Sequence, residues 1–71
     1  MTASQLIELM NRVPFEPFEF HLNDGSRIRI DHPYLVATSR HSSVCTVYAE
    51  DSEVARFVAL RNVTEIVTNK A

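Results

Sequence analysis

The sequence predicts one small domain that is mostly β, with a single N-terminal α-helix leading into a small, strongly bent antiparallel sheet or barrel of five to six strands. Three observations carry this. Apolar residues recur at helical spacing only near the start of the chain, at Leu6, Ile7, Met10 and Val13. The segments 18–22 and 27–31 alternate apolar and polar residues on either side of the only glycine, Gly25. Short apolar runs separated by polar clusters fill the remainder. The expected division is a helix over about residues 3–12 and β-structure over about 16–68, within a single domain of residues 1–71.

The helix has a start and a stop. Thr2 with Gln5 three residues on has the form of a capping box, in which a hydroxyl accepts one orphan N–H and the amide reaches back to another. Pro14 ends the helix, because the residue before a proline is pushed out of the α region. Leu9 widens the apolar stripe, while Glu8, Asn11 and Arg12 lie on the other side. A helix this short is marginal alone, so its stripe must dock on the sheet.

The first hairpin can be assigned a register. A two-residue loop at Asp24-Gly25 would pair Leu22 with Arg27 and Phe20 with Arg29, mixing apolar and charged faces. A three-residue loop, Asn23-Asp24-Gly25, pairs Leu22 with Ser26, Phe20 with Ile28 and Phe18 with Ile30, and sets Glu19 opposite Arg29 and His21 opposite Arg27. Side-chain period fixes register when one face is buried, so the second pairing is expected. It places Gly25 at the left-handed position of a type I turn plus bulge.

His32-Pro33 breaks the pattern. Strands are expected at 34–38, 44–49 and 54–60, with loops at 40–43 and 50–53, a tight turn at 60–63, and a last strand at 64–68. Leu35-Val36, Val47-Tyr48 and Phe57-Val58 place apolar groups on both faces of these later strands. Either the sheet closes on itself or another subunit covers part of it.

Composition bounds the function. A chain of 71 residues buries a small core, roughly 60% of its unfolded surface. The single cysteine, Cys45, allows no intrachain disulfide and fits a reducing compartment, so a cytoplasmic location is expected. No apolar stretch approaches a membrane span. A net charge of −2 argues against broad electrostatic binding to nucleic acid.

Chemistry-bearing residues do not assemble in the sequence. His21, His32 and His41 fall on one solvent face, on the opposite face and in a distant loop, which is not the convergence a metal needs. Cys45 sits among apolar neighbours as a small core residue. Glu16, Glu19, Glu50, Asp51 and Glu53 are scattered or clustered in a loop, without the shared pocket that paired acid–base catalysis requires. Ser39, Ser42 and Ser43 flank His41, but a catalytic triad is defined by geometry rather than adjacency. One glycine cannot build a glycine-rich phosphate loop. No catalytic residue, cofactor or metal is expected, and the chain reads as non-enzymatic.

The segment Pro14-Phe15-Glu16-Pro17-Phe18-Glu19-Phe20-His21-Leu22-Asn23-Asp24-Gly25, followed by His32-Pro33, resembles a group of small uncharacterised bacterial proteins with an N-terminal helix, a Pro-Phe-x-Pro-Phe element, a strand ending in Leu-x-Asp-Gly and a His-Pro pair. That resemblance implies no activity. The chain is also similar, more loosely, to the Sm-like fold, an SH3-like barrel. The segment Phe57-Val58-Ala59-Leu60-Arg61-Asn62-Val63-Thr64-Glu65-Ile66-Val67 resembles its closing strands, with Leu60-Arg61-Asn62 standing where that pattern has a glycine or a Lys-His pair. This second resemblance implies a bent five-stranded sheet; no RNA-binding residue is carried over from it.

The function expected first is a small interaction module that forms a homo-oligomer or binds a protein partner. If 34–38 pairs with 44–49, Val36 meets Val47 on one face and Leu35 meets Tyr48 on the other, leaving an apolar patch. Its candidate interface residues are Leu35, Tyr48, Phe57 and Val58. The alternative is a Sm-like RNA-binding protein using Arg27, Arg29 and Arg61.

Overall fold

The computed structural model describes residues 1–50 and 53–68. Helix α1 spans Ala3–Met10 and is followed by six strands: β1 (Phe18–Leu22), β2 (Arg27–Ile30), β3 (Val36–Ala37), β4 (Val44–Tyr48), β5 (Ala55–Ala59) and β6 (Val63–Thr68). They form two three-stranded antiparallel sheets, one in the order β2-β1-β6 and the other β3-β4-β5. Among the described residues no strand ladder joins the two sheets into a closed barrel. Asp51 and Ser52, in the expected loop before β5, lie outside the described residues.

The capping box forms as the sequence predicts. Thr2 Oγ1 accepts from the Gln5 N–H at 3.2 Å, and Gln5 Oε1 accepts from the Thr2 N–H at 3.0 Å. The helix ends earlier than expected. Asn11 is its C-cap, donating to the Ile7 carbonyl, so Arg12 lies outside it. Val13 is 95% exposed and takes no part in the buried stripe, which is carried by Ala3 and Leu6 with Leu9 and Met10 packed beside them.

The β1–β2 hairpin has the three-residue loop. Phe18, Glu19, Phe20 and His21 pair with Ile30, Arg29, Ile28 and Arg27, and the Leu22 N–H donates to the Ser26 carbonyl at 2.9 Å. Gly25 has φ +87°. Asp24 accepts from both the Ser26 hydroxyl at 2.6 Å and the Ser26 N–H at 2.9 Å, which holds the carboxyl below its usual pKa. Its contribution to the turn is therefore present above the ordinary carboxylate range and lost as pH falls through the lowered value.

The segment 34–38 is a strand only at Val36–Ala37. Pro33 opens a short 3-10 turn over Pro33–Leu35, because its fixed φ suits a first helical position and it has no N–H to give a ladder. The ring of exposed Tyr34 stacks on His32 at 4.9 Å, while Leu35 is buried. Val36 does pair with Val47. A second 3-10 turn, Leu60–Asn62, links β5 to β6 where the tight turn was expected.

The core lies between the inner faces of the two sheets and the helix. Phe18 and Phe20 of β1, Ile28 and Ile30 of β2, Cys45 and Val47 of β4, Val58, Leu60 and Val63 enclose Leu6. Phe18, Phe20, Leu6 and Ile30 are fully buried, and the Phe18 and Phe20 rings meet at 5.4 Å in a tilted pair.

Two stability changes follow. A Cβ at position 25 would meet no atom within 4 Å, so Gly25→Val is penalised through the backbone alone, by about 1–2 kcal/mol in the left-handed region; a thermal melt equal to wild type would contradict the turn assignment. Phe20→Ala removes a fully buried ring and should cost about 3–5 kcal/mol, measured by denaturant unfolding. A loss well below about 1 kcal/mol would be incompatible with a core position.

Candidate functional site

The two sheets present different outer faces. On the β2-β1-β6 sheet the outward residues include Glu19, His21, Arg27, Arg29 and Glu65, a charged surface. On the β3-β4-β5 sheet the cross-strand pairs Val44–Ala59, Thr46–Phe57 and Tyr48–Ala55 share the face turned away from buried Cys45, Val47 and Val58. None of these six outward residues is charged. Phe57 is 79% exposed at the centre of this face, with Tyr48 at 46% and Val44 at 39%.

The candidate interface residues therefore divide. Tyr48 and Phe57 lie on one exposed surface. Leu35 and Val58 do not: Leu35 points into the interior from the 3-10 turn after Pro33, and Val58 sits opposite Cys45 on the inner face. The ladder parity leaves only one member of the Phe57-Val58 pair facing out. Sequence reasoning missed Val44, Thr46, Ala55 and Ala59, whose small or β-branched side chains complete the face; the clue was the absence of charge at alternate positions of both strands.

β5 is also an edge. The Ala49 N–H donates to the Val54 carbonyl at 3.1 Å and the Leu60 N–H to the Ser43 carbonyl at 2.9 Å. With the β4–β5 register, this parity turns the backbone groups of Val54, Arg56, Val58 and Leu60 toward β4. Those of Ala55 and Phe57, and the N–H of Ala59, face away from the sheet, on the side where no strand pairs among the described residues; the Ala59 carbonyl starts the 3-10 turn.

The arginines do not converge. Arg29 Nε is held by Asp31 at 2.8 Å along its own strand rather than by Glu19 across the ladder. Arg27 and Arg29 line a cleft that also contains Asp31 and Glu50. Arg61 lines a separate cleft of about 510 Å³ between the start of the helix, the 40–43 loop and the 3-10 turn before β6. Arg40, His41, Ser42 and Ser43 contribute to that cleft, and among the described residues no carboxylate lines it.

The histidines lie in three different places, His41 in the cleft beside Arg40 and the other two against carboxylates. His21 Nε2 lies 2.8 Å from Glu19 Oε1 and its Nδ1 3.1 Å from Glu65 Oε1, so both ring nitrogens face carboxylates and β1 is tied to β6. This clamp was invisible in the sequence because Glu65 comes from a distant strand. His32 Nε2 stands 3.6 Å from Glu50 Oε2. Cys45 is buried, and that burial raises its thiol pKa, away from the thiolate a nucleophile needs. Ser42 Oγ donates to the Val44 carbonyl at 2.8 Å and accepts from the Val44 N–H at 3.1 Å, a local turn rather than a poised nucleophile. Among the described residues no group of three His, Cys, Asp or Glu side chains is placed to hold a metal, and no helix is long and apolar enough to cross a membrane.

Comparison with known proteins returns no matching family model, no curated relative and no similar solved structure. The outer face of the β3-β4-β5 sheet and the carboxylate-free cleft are the two surfaces from which function can be argued.

Proposed function

We propose that this chain is a non-enzymatic interaction module that self-associates or docks on a protein partner through the outer face of the β3-β4-β5 sheet. The observation that carries the reading is Phe57, 79% exposed in the middle of an uncharged face. Returning one such ring from water to an apolar environment is worth about 1.5–3 kcal/mol, and aromatic residues are enriched at the centres of interfaces. The helix leaves Phe57 uncovered: its buried residues, Ala3 and Leu6, join the inner core, and only Val44 and Ala59 at one end of the face share a cleft with its start. Light scattering over a micromolar concentration series tests the proposal. Wild type should exceed 8.1 kDa as concentration rises, and Phe57→Asp should return it to 8.1 kDa without lowering the melting temperature. Equal masses for the two proteins would remove Phe57 from any self-association.

A second reading, an RNA-binding protein with a Sm-like barrel, is favoured by the cleft of Arg40, His41 and Arg61. Arg40 and Arg61 both line this cleft and, among the described residues, no carboxylate does, on a chain of net charge −2. The 3-10 turn before the last strand also suits a bent barrel of the SH3-like kind. With few phosphate contacts, binding should be weak and should fall by roughly an order of magnitude or more between about 50 and 200 mM salt. Fluorescence titration with a single-stranded RNA measures this, with Arg40→Ala/Arg61→Ala expected to abolish it. Tight, sequence-selective binding at physiological salt would instead make RNA recognition the leading function.

A further inference from the structure

We infer that the chain forms a two-fold dimer by antiparallel pairing of β5 with the β5 of a second copy, centred on Phe57. The inference rests on the outer-face reading above and adds the occupant and the register.

The argument begins with which edges are open. The edge strand β2 carries Arg27 and Arg29, charges that discourage another chain from pairing there. β3 has only two residues. Residues 63–66 of β6 share a cleft with Gln5, Glu8 and Leu9 of the helix and with Arg12 just beyond it. β5 offers five residues with one charge, Arg56, and that side chain belongs to the opposite face from Phe57.

The backbone parity then selects the register. Ala55 and Phe57 direct both N–H and C=O to the open side, and Ala59 directs its N–H there, its carbonyl starting the 3-10 turn Leu60–Asn62. A two-fold centred on Phe57 sets Phe57 opposite Phe57 of the second copy and Ala55 opposite its Ala59. Phe57 then exchanges both bonds with its mate, and the Ala59 N–H meets the Ala55 carbonyl of the second copy, as antiparallel pairing requires. A shift by one residue would oppose an outward group to an inward one, and a shift by two would leave Ala59 without its alanine partner.

The side chains agree with that register. The outward sequence Ala55, Phe57, Ala59 is self-complementary: each ring stands against its mate, with an alanine of the second copy on either diagonal to make room. Arg56 falls across from Val58 and not from Arg56, so like charges are not directly opposed. The two three-stranded sheets become one continuous sheet with the phenylalanines at its middle. A C2 contact of this kind needs a self-matching patch, which this strand supplies.

The test separates the pairing from the broader reading. An edge-to-edge interface is small, so the mass should rise from 8.1 kDa toward twice that value over a concentration series reaching about 1 mM. Ala59→Pro is the decisive variant. Its φ is already −70°, and its N–H faces away from β4, so proline fits the monomer. The variant should keep the wild-type melt while raising the dimer Kd about tenfold or more. Ala55→Cys mixed with Ala59→Cys should form an interchain disulfide under mild oxidation, because Cα atoms of a hydrogen-bonded pair sit about 5.5 Å apart. Either variant alone should not, its own mate lying about 14 Å further along the strands; buried Cys45 does not compete. Association that Phe57→Asp abolishes, but without the mixed bridge or with Ala59→Pro behaving as wild type, would overturn this pairing and leave the outer-face reading standing. A chain that stays at 8.1 kDa throughout would overturn both the dimer and self-association itself.

Discussion

β1 is the strand on which the rest of the molecule depends. It is the central strand of its sheet, with β2 on one edge and β6 on the other, and it places Phe18 and Phe20 in the core with no exposed surface. Because the side-chain period of a strand is two, fixing those rings inward also fixes Glu19 and His21 outward. The same registers then bring Ile28 and Ile30 to the core from β2, and Ile66 alongside from β6. One slip of β1 by a single residue would exchange two phenylalanines for a carboxylate and an imidazole.

The consequence is an economy of faces. Two sheets have four faces, and a chain of this size has apolar residues enough to build one shared core. The inner faces meet there, and the helix contributes Ala3 and Leu6 to its margin. The outer face of the first sheet is solvated by Glu19, His21, Arg27, Arg29 and Glu65, with the two carboxylates gripping His21. The outer face of the second sheet has no such charges. That contrast within one small domain is the reason to place function on β4 and β5.

The legible parts of the sequence were those whose signal is local. Thr2 and Gln5 specify the helix start, and strict alternation with one glycine specifies the hairpin register residue by residue. The helix end was less legible: Pro14 limits the helix, but the chain leaves it at Asn11, where the backbone caps itself. β3 was overextended because its apolar residues mask the effect of Pro33, which winds Leu35 into a 3-10 turn and turns it inward. Of the interface candidates, Tyr48 and Phe57 were separable from Val58 only by the β4–β5 ladder. In a run with apolar residues on both sides, sequence shows that two faces are apolar but not which one is buried. The clefts were less legible still, since Arg61 meets Arg40 and His41 only through the fold.

An exposed phenylalanine on an open strand edge is a hazard as well as a surface. Proteins blunt such edges with charge, shortness or a covering element, and this one applies all three elsewhere: arginines on β2, two residues in β3, a helix beside β6. β5 lacks these protections over residues 55–57, and only Ala59 at its end shares a cleft with the start of the helix. An open edge left available to any extended chain would favour indefinite growth, because each added strand presents a new edge. A two-fold pairing ends that process at the first step, since both β5 edges are consumed and the edges that remain are the protected ones. Charge on β2, shortness in β3 and the helix beside β6 together leave β5 as the receptive edge on which the proposed closed dimer rests.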